Sequence, residues 1–423
     1  MSTGYPNAET GHPTRSYQLI HQNPYSLIGY EAYDWADPKG FLNTQSFITG
    51  ELAETLRRTN EQASGIMHFA YMTWFRQCYD YRHIQPYPTY YAMQRAMQPV
   101  LVSAELWGRN LYAGEKLHTR IYVVNDNEEG RDLKPMSLIW SIVDETDKVL
   151  ASGTEQFPAV EYYGRKYIEP NIHMPSNLPA DKVNAKLKLT LTENGVTLSK
   201  NEYGLLLARK EWNIGQVAEN KKILLLDKDN MKATLDFLNI ACQTVPSIKE
   251  LLNSKQKANL CILSGLKECT DEEAKLLREY QAKGGRLLLL NSKEAAQKIY
   301  PEYITGWIIP TEGDIVVMER DDASVFDGIG VLELRYFNNN KREIPLACTA
   351  TLKAVRHENE KELAAQMKIH AYIDGGKPEE RIARIESMRG LTLLQIADNK
   401  GKSLVSTLCT DCLLYTSPSP RDA

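Results

Sequence analysis

Hydrophobic and polar positions along this chain change period twice, and each change marks a different kind of structure. Between residues 49 and 102 the pattern is helical at both ends: Leu52, Leu56 and Asn60 fall on one helix, whose Arg57-Arg58-Thr59-Asn60 end runs into the breaker Ser64-Gly65. Ile66-Met67-His68-Phe69-Ala70-Tyr71 then has the length of one buried strand, Tyr71, Trp74, Phe75 and Tyr79 form an aromatic cluster after it, and a second helix is expected from Tyr90 to Met97 before Pro99. From about Ala104 to Trp212 the period becomes two, in His118-Thr119-Arg120-Ile121-Tyr122-Val123-Val124, Ser137–Val143 and Lys186–Leu191. Turn signals at Asn125-Asp126-Asn127, Glu129-Gly130 and Glu193-Asn194-Gly195 separate these runs, which predicts an immunoglobulin-like sandwich.

After Lys221 the strands turn apolar throughout. Lys222–Asp227, Asn259–Ser264 and Gly285–Asn291 read as strands, with helices expected over Met231–Ile240 and Asp271–Lys283. Continuous apolar strands alternating with helices predict a parallel sheet covered on both faces. Thr270, ahead of Asp271-Glu272-Glu273, is the expected N-cap of the second helix, and Leu404-Val405-Ser406-Thr407 is a candidate last strand.

Composition sharpens this picture by exclusion. The chain has 423 residues, 43% of them hydrophobic and 25% charged, which suits two to four folded domains rather than a disordered polymer. A net charge of -4 without a Lys/Arg stripe argues against nucleic acid, and no apolar run is long enough to span a bilayer. Of the 7 cysteines, Cys412 falls in the tail described below, and Cys78, Cys242, Cys261, Cys269, Cys348 and Cys409 are scattered without CxxC spacing, so neither a zinc site nor a disulfide framework is expected, although Cys261 and Cys269 are near enough in sequence to meet. No cofactor is implied. Residues 412–423, from Cys412-Leu413-Leu414-Tyr415 to the Pro-rich end, match in one reading frame the transposon-end and index-primer DNA of sequencing libraries. They are expected to be an artefactual tail, and the N-terminus is expected to be truncated as well.

The stretch from residue 49 to 102 resembles the end of the catalytic barrel in glycoside hydrolase family 2, the β-galactosidases, β-mannosidases and β-glucuronidases. The resemblance rests on Gly65-Ile66-Met67, the Trp74 region, Tyr90-Tyr91-Ala92-Met93 and Pro99-Val100-Leu101-Val102. It implies that residues 1–103 are the C-terminal remnant of a (β/α)8 barrel, whose carboxyl-end mouth holds the active site. Retaining glycosidases need two carboxylates roughly 5 Å apart, one attacking the anomeric carbon and one acting as acid and then base. In the family the nucleophile glutamate ends the seventh strand. Counting back from Gly65, that strand is Tyr25–Glu31, and Glu31 is the candidate nucleophile, with a structural or solvated glutamate as the alternative. The family's usual Ser-Glu or Thr-Glu step followed by Tyr-Gly or Phe-Gly is absent, since Tyr30 precedes Glu31 and Ala32 follows. Trp35, Trp74 and Tyr71 are candidate substrate contacts, Trp35 and Trp74 as stacking platforms or else as barrel core. Asp34 could pair with Arg57 or Arg58 or bind a sugar hydroxyl. Glu51 and Glu54 are weaker nucleophile choices because they read as the first turns of a helix, where acidic residues suit the dipole. The acid/base carboxylate has no candidate and is expected upstream, so the chain by itself is expected to be inactive.

Asn201-Glu202-Tyr203 resembles the Asn-x-Tyr that closes the sandwich in that family, giving a second domain over 104–212. The third, over 216–411, resembles the glutamine amidotransferase-like, flavodoxin-type domain through Ala282-Lys283-Gly284-Gly285-Arg286-Leu287-Leu288-Leu289. Active members carry a Cys nucleophile on the turn after such a strand. Here Asn291-Ser292-Lys293 stands there, without the glycines of a hydrolase elbow, and His357 and His370 have no partner at a telling spacing. A degenerate accessory fold is expected. The architecture is thus multidomain α/β plus all-β, and the partner a carbohydrate substrate, with oligomeric state open. The family resemblance implies a periplasmic or secreted location. The alternative function is a non-catalytic carbohydrate-binding or assembly module.

Overall fold

The computed structural model of the chain describes residues 39–59, 65–67, 74–76, 81–213, 221–253, 258–309, 316–318, 324–330, 333–334, 347–354, 360–366, 390–397 and 400–409. They are mixed α/β with a large share of sheet and divide into two compact units, the first ending at Trp212 and the second holding most of the chain beyond it.

The first unit opens with helix α1 (Lys39–Thr59), the two-residue strands β1 (Phe75–Arg76) and β2 (Gln85–Pro86), and helix α2 (Pro88–Ala96). Pro88 stands in the first turn of α2, where its missing N–H costs nothing. The two helices approach closely at Gly50, where a Cβ would lie 3.2 Å from that of Ala92. Ala53, Met93 and Ala96 form a small core with Ile66 and Trp74 against it.

The helix expected through Leu52 and Leu56 is present, and the strand expected after it departs from the sequence reading. The buried face of α1 carries Gln45, Gly50, Ala53, Glu54 and Arg58, while Leu52 is 56% exposed, because the helix packs through small and charged side chains rather than a leucine stripe. The strand expected at 66–71 does not begin at Ile66: residues 65–67 are irregular and Met67 is 98% exposed, while 68–71 lie outside the described residues.

Eight strands follow: β3 (Val100–Leu106), β4 (Asn110–Tyr112), β5 (Thr119–Asn125), β6 (Met136–Asp144), β7 (Val149–Phe157), β8 (Arg165–Ile168), β9 (Lys182–Glu193) and β10 (Val196–Ala208). They form a three-stranded sheet, β3-β5-β8, and a five-stranded sheet, β4-β10-β9-β6-β7, whose inner faces share one core built from Val102, Ile121, Leu138, Leu187 and Leu205 among others. The Asn194-Gly195 turn joins β9 to β10 with both residues at positive φ, 50° and 82°, the conformation a two-residue hairpin needs. Period-two alternation is therefore read correctly as half-buried strands.

In the second unit the strands are β11 (Ile223–Asp227), β12 (Gln243–Thr244), β13 (Leu260–Ser264), β14 (Arg286–Leu290), β15 (Ile304–Ile308), β16 (Val316–Met318), β17 (Thr351–Ala354), β18 (Glu360–Gln366), β19 (Gly390–Ala397) and β20 (Lys402–Ser406). Its helices are α3 (Met231–Phe237), α4 (Ile248–Asn253), α5 (Asp271–Ala282) and α6 (Lys293–Ile299). The sheet runs β12-β11-β13-β14-β20-β19-β17-β15, with β18 also on β19 and β16 on β18. Its first five strands are parallel, and β19, β17, β15, β18 and β16 extend it through antiparallel pairs. One face packs on α4, α5 and α6 through Leu251, Leu277 and Ile299, and the other on α3 through Met231 and Leu235. Thr270 caps α5 in a reciprocal box with Glu273, as its position suggests.

Gly401 lets the β19–β20 hairpin lie against the end of α5, since a Cβ there would overlap the carbonyl oxygens of Gln281 and Gly285. Backbone on both sides cannot yield as a side chain would. Gly401→Ala is expected to destabilise the second unit by about 1–3 kcal/mol, read as a lower urea midpoint with Trp307 fluorescence as the probe.

Candidate functional site

Of the residues expected to carry chemistry, Glu31, Asp34, Trp35 and Tyr71 lie outside the described residues, as do His357 and His370. Trp74 is half-buried in a short turn before β1, packed against the Ala53, Met93 and Ala96 core, and its carbonyl accepts a hydrogen bond from the Tyr87 N–H at 2.7 Å.

Where the described geometry does gather polar groups is around Glu54. This carboxylate is only 5% exposed and accepts hydrogen bonds from Ser103 Oγ (2.5 Å) and Tyr203 Oη (2.7 Å) on one oxygen and from Asn201 Nδ2 (2.9 Å) on the other. Arg58, one turn along α1 and also buried, lies 3.6 Å away and donates to Ser103 Oγ at 2.6 Å and to the Ala104 carbonyl. Ionised side chains are rarely buried unless paired, and this pair is bonded on every side. Glu51 and Glu54 therefore do not owe their place to a helix dipole: α1 begins at Lys39 with no acidic residue in its first turn, so both glutamates sit well inside it.

The donors on β10 have a second task. β3 is an edge strand of its sheet, and its free backbone groups are met by side chains: the Val102 N–H donates to Ser199 Oγ (3.0 Å), the Ala104 N–H to Tyr203 Oη (2.9 Å), and Asn201 Nδ2 donates to the Val102 carbonyl (3.0 Å). Burial raises the Tyr203 phenol well above its ordinary pKa, and the charge of Glu54 and its hydrogen bond add to the rise.

A cleft of about 230 Å³ opens beside this cluster. Phe47, Glu51, Arg95, Arg109, Lys186 and Glu202 line it together with Glu54 and Tyr203. Arg109 is ion-paired with Glu51 and stacks over the rings of Phe47 and Tyr203 at 5.0 and 5.8 Å, while Lys186 pairs with Glu202 at 3.5 Å. Besides Glu202, which Lys186 pairs, two carboxylates thus border the cleft, but Glu51 is held by Arg109, and Glu54 by three hydrogen-bond donors and the ion pair with Arg58. The arrangement immobilises both rather than leaving one free to attack an anomeric carbon or to exchange a proton with substrate. Arg57 is likewise engaged, with Asp126 (2.7 Å) and the carbonyls of Ala96 and Gln98.

In the second unit the turn after β14 places Asn291, not Ser292, in the left-handed conformation, at φ 49°. Ser292 is fully buried, and its hydroxyl receives the Leu266 N–H (2.9 Å) and bonds the Leu290 and Leu263 carbonyls (2.8 and 3.1 Å). It pins the turn. Cys261 and Cys269 are not bridged; the Cys261 thiol meets Tyr280 Oη at 3.4 Å. Among the described residues no group of three His, Cys, Asp or Glu side chains is placed to hold a metal ion, and no helix is long and apolar enough to cross a membrane.

The Glu54 cluster was missed in the sequence because its members are scattered over residues 54 to 203. Asn201-x-Tyr203 was its one visible signal, though not its partner.

No family model matches the chain, and neither does any curated protein. Among solved structures, similarity runs at low identity and partial coverage to enzymes of glycoside hydrolase family 2. The exo-chitosanase CsxA of Amycolatopsis orientalis is 15% identical over 44% of this chain and 21% of its own, with a TM-score of 0.30. A β-glucuronidase from glycoside hydrolase family 2 is 11% identical over 48% and 22%, with a TM-score of 0.20. A ThuA-like protein from Bacteroides uniformis is 8% identical over 48% of this chain and 92% of its own, with a TM-score of 0.29. The chain thus spans about a fifth of the length of the two glycosidases.

Removing the Glu54 carboxylate strands Arg58 and three hydrogen-bond donors. Glu54→Ala is expected to cost about 3–5 kcal/mol and Tyr203→Phe about 1.5–3 kcal/mol, both measured by chemical denaturation. Because the folded Tyr203 pKa is raised, its contribution is intact below the unfolded value of about 10 and is lost as pH climbs from there toward the folded value. Stability above pH ~10 should fall less steeply in Tyr203→Phe than in the parent.

Proposed function

We propose that this chain is part of a retaining exo-β-glycosidase acting on β-linked galactose, mannose or glucuronic acid, with Glu31 as the nucleophile and Trp35, Trp74 and Tyr71 toward the sugar. In this reading the eight-stranded sandwich is the immunoglobulin-like domain that follows the barrel. The β12-β11-β13-β14-β20 order of the second unit, equivalent to 2-1-3-4-5, is that of a flavodoxin-type domain. The observation that carries the proposal is the buried junction in which Glu54 of α1 is bonded by Ser103 of β3 and by Asn201 and Tyr203 of β10. It fastens the helix that the family resemblance assigns to the barrel's end onto the sandwich that follows it in the chain.

A retaining mechanism forms a glycosyl ester between the nucleophile and C1 as the leaving group departs, and water then cleaves it with the second carboxylate as base. With no acid/base candidate in the chain, ordinary substrates should not turn over. A substrate whose leaving group needs no protonation can still react in the first step. The second reading, an assembly module, is favoured only by the second unit, whose turn after β14 offers Asn291 and a buried Ser292 instead of a nucleophile.

The test is incubation with 2,4-dinitrophenyl 2-deoxy-2-fluoro-β-glycosides of galactose, mannose and glucuronic acid, followed by peptide mapping. One of them should add a single sugar to Glu31, releasing dinitrophenolate, and Glu31→Gln should abolish the adduct. No adduct with any of the three, or an adduct that survives Glu31→Gln, would sink the assignment and leave the assembly reading.

A further inference from the structure

The outer face of the three-stranded sheet holds an unbalanced cation. Cross-strand register sets Leu101, Val124 and Arg165 in one row, Ser103, Tyr122 and Tyr167 in the next, and Glu105 beside Arg120 in the third. The alternate positions Val102, Ala104, Ile121 and Val123 fill the core, so these rows face outward. Leu101, Ser103 and Val124 are buried nonetheless, and Arg58 of α1 bonds Ser103, whereas Tyr167 is 46% exposed. The Tyr122 and Tyr167 rings lie 5.1 Å apart.

A census of charge on this face leaves one group over. Arg120 is matched by Glu169 (3.0 Å) while its guanidinium lies over the Tyr167 and Trp107 rings; Glu105 accepts from Tyr122 Oη; Arg57 is matched by Asp126. Arg165 alone has neither ion pair nor side-chain hydrogen bond among the described residues, and its Nη1 is shut off from solvent with no partner. A guanidinium N–H buried without an acceptor is unfavourable and calls for an anion. The position is not loose. Asn125 holds the incoming loop by donating from Nδ2 to the Val160 and Glu161 carbonyls, and its backbone bonds both Tyr163 and Gly164.

We propose that Arg165 and Tyr167 form a binding subsite for a carboxylated saccharide. With Nη1 closed to solvent, the guanidinium takes the sugar carboxylate through its Nε and Nη2 edge, and the exposed Tyr167 ring packs against the apolar C–H face of the pyranose. The demand for a carboxylate rests on the unpaired guanidinium. The choice of a sugar as its carrier rests on the glycosidase reading.

Isothermal titration of the full chain with sodium D-glucuronate, D-glucose and sodium acetate tests this, in the parent and in Arg165→Gln, Tyr167→Ala and Glu31→Gln. Glucuronate should bind at least tenfold more tightly than glucose or acetate. Arg165→Gln should weaken it tenfold or more and Tyr167→Ala severalfold, while Glu31→Gln reports any glucuronate held at the proposed catalytic residues instead. Acetate binding as well as glucuronate, glucose binding as well as glucuronate, or no glucuronate binding would each overturn the subsite. Binding lost in Glu31→Gln but kept in Arg165→Gln would move the ligand elsewhere and overturn the subsite while leaving the glycosidase reading intact. Binding that follows Arg165 with no adduct at Glu31 would do the reverse. A thermal melt guards against a guanidinium already paired within the chain: without ligand, Arg165→Gln should match or exceed the parent Tm, and a clear drop would overturn the proposal.

Discussion

The first unit depends on one carboxylate almost wholly withdrawn from water. Burying Glu54 removes its hydration, and the fold replaces that hydration with donors fixed on different elements: Arg58 on α1, Ser103 on β3, Asn201 and Tyr203 on β10. Apolar contacts such as Gly50 on Ala92 press the two helices together but do not choose a rotation or a register. Hydrogen bonds to a charged acceptor do, because each is short and directional. The cleft beside Glu54 inherits its shape from this. Tyr203, held through its hydroxyl, lends its ring to Arg109, and Arg109 in turn fixes Glu51.

The second unit solves a different problem with the same kind of group. Its apolar strands would pack equally well in more than one order, since Leu-rich faces are interchangeable. Buried Gln281, Tyr300 and Ser403 bond one another, and Gln281 Nε2 also donates to the Ile396 carbonyl, tying α5 and the residue after α6 to β19 and β20. β20 is thereby seated beside β14, more than a hundred residues earlier in the chain. A misplaced β20 would part Ser403 from both Tyr300 and Gln281, a buried polar loss that penalises alternative packings more than apolar contact alone could.

What could be read from the sequence divides along the same line. Elements whose signal is local were legible: the alternation of β5, β6 and β9, the Asn194-Gly195 hairpin, the apolar β11, β13 and β14, and the Thr270 cap of α5. The antiparallel extension by β15, β17, β18 and β19 was not: β15 and β17 are only five and four residues long, and nothing local in the longer, largely apolar β19 tells which strands it pairs with. The core face of α1 could not be read from the sequence for a physical reason as well. Leucines normally mark the buried stripe, but a helix that docks through a salt bridge buries Glu54 and Arg58 and turns Leu52 to solvent. The sequence set Ser292 aside for want of the elbow glycines, and its hydroxyl, which accepts from the Leu266 N–H and bonds the Leu263 and Leu290 carbonyls, serves as a strut.

Buried ion pairs can often be exchanged for apolar residues of similar volume with no loss of stability. The Glu54–Arg58 pair should resist that exchange, because the groups that bind it are not spare. Tyr203 and Asn201 each divide their bonds between Glu54 and the open edge of β3, and Ser103 passes a hydrogen bond from Arg58 on to Glu54. Replacing the two charges by leucine and methionine would leave the Ser103 hydroxyl without either partner and free Tyr203 Oη and Asn201 Nδ2 to rotate away from the Ala104 N–H and the Val102 carbonyl. The cost would then include an unsealed strand edge, a liability in itself. Edge closure and helix docking share their atoms, so the cluster can be replaced as a whole but not pair by pair.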